Sequence, residues 1–225
     1  MKESILDNIE SIALDGIETS IDTILENGIV ENIPIANIAL AIIKTGEMVY
    51  NKNLLKQTIE FIESLNKQEI SKEKLNKYKQ KFLKNKKKQK EELERVLLYL
   101  NQNIETEKSR LLAKFFASYI NQEINWDRFC EFATVLNQIF INDLQTLYEV
   151  YKDTRNKEAS IIIYERYKIS RLISTGLLSN YSGAITVSEL SDKKSGVRNI
   201  YEKNGFGELF VKIATKEEKL LIEDK

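Results

Sequence analysis

Apolar residues recur at three- to five-residue spacing through most of the chain, and the elements they predict are helices. Over residues 3–26, Ile5, Ile9, Ile12, Ile17, Ile21 and Ile24 form one stripe with acids between them, closed by Asn27-Gly28. Residues 33–43 are the most hydrophobic stretch, and Pro34 suits a first helical turn. At about 1.5 Å per residue this stretch makes about 16 Å of helix, about half a bilayer core. Extending it to Tyr50 admits Lys44 and Glu47, so a buried helix over 33–50 is expected. A membrane-inserting hairpin and a partner-facing helix are the alternatives.

The helical period continues through Leu54, Leu55, Ile59, Ile62 and Leu65 over 53–66. Residues 71–85 restart behind Ser71 as N-cap, with Leu75, Tyr78, Phe82 and Leu83 predicted on one face. The next helix is expected to open at Glu91-Glu92, where carboxylates suit a helix start, and to run through Leu93, Val96, Leu97 and Leu100. Three more follow: from Glu105 or Thr106 through Leu111, Leu112, Phe115, Phe116, Tyr119 and Ile120; from Asn125 through Trp126, Phe129, Phe132, Ala133 and Leu136; and behind Asn142 as cap through Leu144, Leu147, Tyr148 and Tyr151. Large rings bury the most area per residue, so the main core is expected over 106–152.

Beyond the polar stretch 152–157 the texture changes, and five of the eight glycines lie after residue 175. A helix over 158–175 ending at Gly176, a short strand, turn chemistry at Asn180-Tyr181-Ser182-Gly183, a second strand near 199–203 and a helix over 207–214 are expected. The predicted fold is mainly α: a multi-helix body over 1–152, followed by a small winged-helix-like α+β unit over 153–225.

Composition narrows the chemistry. The chain has no histidine, which removes the commonest general base and the commonest transition-metal ligand. Ser-His-Asp, Cys-His and HExxH arrangements are excluded, and no phosphate-binding glycine loop or calcium loop is present. The expectation is a non-enzymatic protein with no cofactor and no metal. Cys130, the only cysteine, lies between Phe129 and Phe132 and reads as an inert buried thiol. The acidic start is unlike a secretory signal, so a cytoplasmic location is expected.

Charge changes the picture most. Formal net charge is zero, yet residues 1–31 carry eight carboxylates against Lys2, and residues 67–90 carry eleven lysines against Glu69 and Glu73. Residues 99–225 are balanced, with eighteen bases and eighteen acids. The lysine-rich segment therefore supplies the first candidate polyanion contacts, Lys84, Lys86, Lys87, Lys88 and Lys90. Arg166, Arg171, Lys193, Lys194 and Arg198 supply the rest. Their expected role is electrostatic. The acidic head, with Asp7, Glu10, Asp15, Glu18, Asp22 and Glu26, matches the lysine segment in sign, within one chain or between two.

Arg171-Leu172-Ile173-Ser174-Thr175-Gly176-Leu177-Leu178 resembles the end of a winged-helix recognition helix, and Ile200 to Val211 resembles the second strand and closing helix of such domains. Together with Leu111 to Ser118 and Asn142 to Leu147, residues 90–214 resemble the bacterial Abi-alpha proteins, a group linked with abortive infection and prophages. That resemblance implies a phage-defence setting and supplies no reaction and no functional residues. The chain departs from the pattern at Lys203-Asn204-Gly205, where leucine and threonine are usual. The expected function is that of a non-catalytic bacterial interaction protein. The alternatives are a winged-helix DNA-binding regulator, and a membrane-acting effector using 33–43 and the lysine segment. The partners expected are another protein or a second copy, nucleic acid, or an anionic membrane surface.

Overall fold

The computed structural model describes residues 33–34, 52–152, 166–180 and 201–216. These are mainly helical, with one two-stranded antiparallel sheet. The helices are α1 (Lys52–Asn66), α2 (Lys72–Lys84), α3 (Lys86–Gln102), α4 (Thr106–Ile120), α5 (Trp126–Gln138), α6 (Ile141–Lys152), α7 (Arg166–Ser174) and α8 (Gly205–Ala214). The strands are β1 (Leu178–Asn180) and β2 (Tyr201–Lys203). Two compact units divide between Cys130 and Glu131, inside α5, so α6 groups with the C-terminal elements. The boundary expected at 152/153 abuts residues 153–165, which lie outside the described set. So do the helix expected over 3–26 and most of 33–50; of the latter, Ile33 is buried and Pro34 is helical.

In the first unit, α1 packs along α4, and α2 packs on α3 and α4. Burial at the helical period drives this: Leu55, Phe61, Ile62 and Leu65 of α1 meet a face of α4 built from Leu112, Phe115, Phe116 and Ile120. Phe116 is the hub of the rings, edge-on to Phe61 at 5.8 Å, to Tyr78 at 6.1 Å and to Phe129 at 5.4 Å. Edge-to-face pairs of this kind add about 0.5–1.5 kcal/mol each beyond area burial.

In the second unit, α6 packs on α7 and α8, and α7 leads into β1. Gly176 adopts φ +78, the left-handed conformation that ends a helix at little cost to glycine, and its N–H donates to Ile173 O at 2.9 Å. Leu178, Ser179 and Asn180 pair with Lys203, Glu202 and Tyr201. Asn204 caps α8: its Oδ1 accepts from Gly207 N at 2.8 Å, and its Nδ2 donates to Gly176 O at 2.9 Å. Tyr151 closes the same knot, its hydroxyl accepting from Asn204 N at 3.1 Å and lying 2.9 Å from Leu177 O. Phe132 packs edge-on to Phe206 and Phe210.

Four local expectations are corrected. The third helix opens at Lys86, not at Glu91, because Asn85 is extended and its Oδ1 caps Lys88 N at 3.1 Å. That start places Glu92, Val96, Tyr99 and Leu100 on the buried face. Leu83 is 65% exposed, since the buried face of α2 follows Leu75, Tyr78 and Phe82 and Leu83 falls one residue past it. Ser71 precedes α2 without a side-chain cap; its own N–H donates to Asn121 Oδ1 at 3.0 Å. Helix α6 starts at Ile141, and Asp143 rather than Asn142 serves its first turn, accepting from Phe140 N at 3.0 Å.

Candidate polyanion interface

The lysine-rich segment folds into two successive helices, α2 and α3, separated by Asn85 alone. Phe82 O accepts from Asn85 N at 3.3 Å and from Gln89 Nε2 at 2.9 Å, so the end of α2 is tied to the first turn of α3. On α2, Lys74, Lys77, Lys81 and Lys84 recur at spacings of three, four and three, one flank of a helix beside the stripe of buried Leu75, Tyr78 and Phe82. The first turn of α3 then brings Lys86 and Lys87, both exposed.

Counter-ions reach only part of this set. Lys77 pairs with Glu73 at 2.6 Å, Lys88 with Glu92 at 3.4 Å and Lys90 with Glu94 at 3.6 Å. Lys74 donates to Gln122 Oε1 at 3.1 Å. Lys72, Lys81, Lys84, Lys86 and Lys87 are exposed and make no ion pair among the described residues. The Glu73 carboxyl is held below the usual range, first by its hydrogen bond and then by its attraction to Lys77, with Lys74 adding to the same pull. Three lysines in the opening turn of α3 also lie at the positive end of its dipole, where cations are disfavoured by about 0.3–1 kcal/mol each. Their charges add to the end of the helix instead of cancelling it.

Beneath this surface lies a buried carboxylate, Glu92, expected from sequence in the first turn of a helix. Glu92 is 1% exposed. Its Oε2 accepts from Tyr78 Oη at 3.0 Å and its Oε1 from Tyr119 Oη at 2.7 Å, so one side chain joins α2, α3 and α4. Lys88 completes the group and lies 5.9 Å from the Tyr119 ring centre. Burial, then the negative charge of Glu92, pushes the Tyr78 phenol well above its ordinary range, and Tyr119 is raised first by burial and then by its bond to Glu92. The signal available in sequence was the spacing of Glu92 from Val96 and Tyr99, which places it on the apolar face. Its charge pointed the other way. Lys88 is therefore half-committed inward, while Lys84, Lys86 and Lys87 face solvent and Lys90 shares its charge with Glu94.

Arg171 has a structural engagement. Its Nη2 donates to Asp143 Oδ1 at 2.6 Å and its Nε to Oδ2 at 2.9 Å, with Asp143 fully buried. The Phe140 and Tyr167 rings lie on the guanidinium at 4.9 Å each. Arg166 begins α7, and Lys193, Lys194 and Arg198 lie outside the described residues. Cys130 is partly exposed, and burial raises its thiol, which opposes nucleophilic reactivity. Among the described residues no group of three His, Cys, Asp or Glu side chains is placed to hold a metal ion, and no helix is long and apolar enough to cross a membrane. The chain matches no protein-family model, no curated protein and no solved structure.

Proposed function

We propose that this is a non-catalytic interaction protein that binds polyanions through the lysine face of α2 and α3. The observation that carries the reading is the row of exposed lysines, Lys72, Lys81, Lys84, Lys86 and Lys87, without carboxylate partners among the described residues. Phosphate- and sulfate-rich chains attract such a row by releasing their own counter-ions, a term independent of sequence. The Glu92 network supports the row from below, fixing α2 and α3 on α4 so that the charges keep their spacing.

The finer assignment of the C-terminal unit as winged-helix-like draws support from the order α7, β1, β2, α8 and the antiparallel pairing of the strands. As a DNA-reading surface α7 carries three bases, Arg166, Lys168 and Arg171. It exposes Tyr167, Ser170 and Ser174, and its Arg171 is bound to Asp143. The lysine face is the better-supported contact. The resemblance to Abi-alpha proteins adds a phage-defence setting to this reading.

Fluorescence anisotropy with labelled heparin fragments and random-sequence duplex, beside flotation with anionic and neutral vesicles, tests it. The full chain is compared with Lys81→Gln/Lys84→Gln/Lys86→Gln/Lys87→Gln. The reading requires a tenfold or greater loss on at least one polyanion. Equal binding by both proteins, or no binding by either, rejects it.

A further inference from the structure

We infer that the acidic head, residues 1–31, occupies the lysine face and competes there with external polyanions. This rests on the polyanion reading above and names its regulator. The face is under-neutralised where it is most exposed: Lys72, Lys81, Lys84, Lys86 and Lys87 make no ion pair among the described residues. The same chain carries a compensating block, eight carboxylates against Lys2 in residues 1–31. The periods also match. Asp15, Glu18, Asp22 and Glu26 are spaced three, four and four residues apart, and Lys74, Lys77, Lys81 and Lys84 three, four and three.

Each exposed pair contributes little and is screened by salt. Tethering changes that balance, because a segment on the same chain meets the face without a bimolecular step. The complementary head thus makes the face respond to strong polyanions and ignore weak ones.

The test uses the full chain with Asp7→Asn/Glu10→Gln/Asp15→Asn/Glu18→Gln/Asp22→Asn/Glu26→Gln, and reads lysine acetylation by mass spectrometry. The labelling rate of Lys81, Lys84, Lys86 and Lys87 is expected to rise threefold or more, while the exposed Lys52 and Lys56 of α1 serve as internal standards and stay unchanged. In the unaltered monomer, carbodiimide is expected to join head carboxylates to the same four lysines at low salt. A uniform rise across all lysines, or no change together with cross-links absent from those four, overturns the inference. The Lys→Gln comparison on heparin stands apart from this readout, so failure of the head to cover the face and failure of the face to bind polyanions are told apart.

Discussion

Tyr119 donates its hydroxyl to Glu92 across 2.7 Å, and the carboxylate that accepts it is 1% exposed. A buried charge of this kind persists because two phenols and Lys88 surround it. Removing it strands both hydroxyls in the core. Glu92→Ala is expected to destabilise the first unit by about 3 kcal/mol, whereas Tyr78→Phe costs about 1–2 kcal/mol because Tyr119 still serves the carboxylate. Urea denaturation followed by far-UV circular dichroism measures both.

The same pair sets the alkaline limit. Tyr78 and Tyr119 are raised in the folded protein above the ordinary phenol value of 10.0. Above that value the unfolded chain releases these protons while the folded chain keeps them, so the unfolded state binds fewer protons and stability falls as pH rises. Below it their contribution is fully present. Denaturation midpoints are therefore expected to hold steady up to about pH 10 and drop beyond it. The double variant Tyr78→Phe/Tyr119→Phe should flatten that drop.

Asp143 and Arg171 behave as a unit in the C-terminal half. Among the described residues, Arg171→Ala leaves a fully buried carboxylate with the Phe140 N–H as its donor, and about 3–5 kcal/mol is the expected cost. Asp143→Ala leaves a partly exposed guanidinium that water still reaches, so its cost is smaller. A double-mutant cycle should return a coupling of about 1–3 kcal/mol, and simple additivity would contradict the assignment.

Gly207 is a third test of packing. A Cβ built there falls 2.0 Å from Leu177 O and 2.2 Å from Tyr151 Oη, so the β1 approach and the α8 cap must both shift. Gly207→Ala is expected to cost about 2–3 kcal/mol despite the better helix propensity of alanine. Gly205→Ala, where nothing lies within 4 Å, is the control and should change little.

The helices from Lys52 to Lys152 were legible because their apolar residues keep the 3.6 period and few glycines interrupt them. Thr106 and Trp126 open helices within a residue of the positions expected from spacing. Gly176 was legible for a conformational reason, being the residue that ends α7. The start of α3 was not. The carboxylates at Glu91-Glu92 suggest a start five residues later than the one the Asn85 cap sets, and the burial of Glu92 is made tolerable by two phenols from other helices. Arg171 was read as a surface charge for a parallel reason, since its partner Asp143 lies 28 positions earlier. Single-residue charge carries no record of a partner that the fold supplies.

The most direct measurement is the salt dependence of heparin or duplex binding by the intact chain, repeated as Lys81, Lys84, Lys86 and Lys87 are replaced one at a time by glutamine. Each lysine that contacts phosphate or sulfate should lower the slope of log Kobs against log salt by about 1, with affinity falling at every step. A slope that stays the same through all four replacements would contradict a polyanion-binding role for the face formed by α2 and α3.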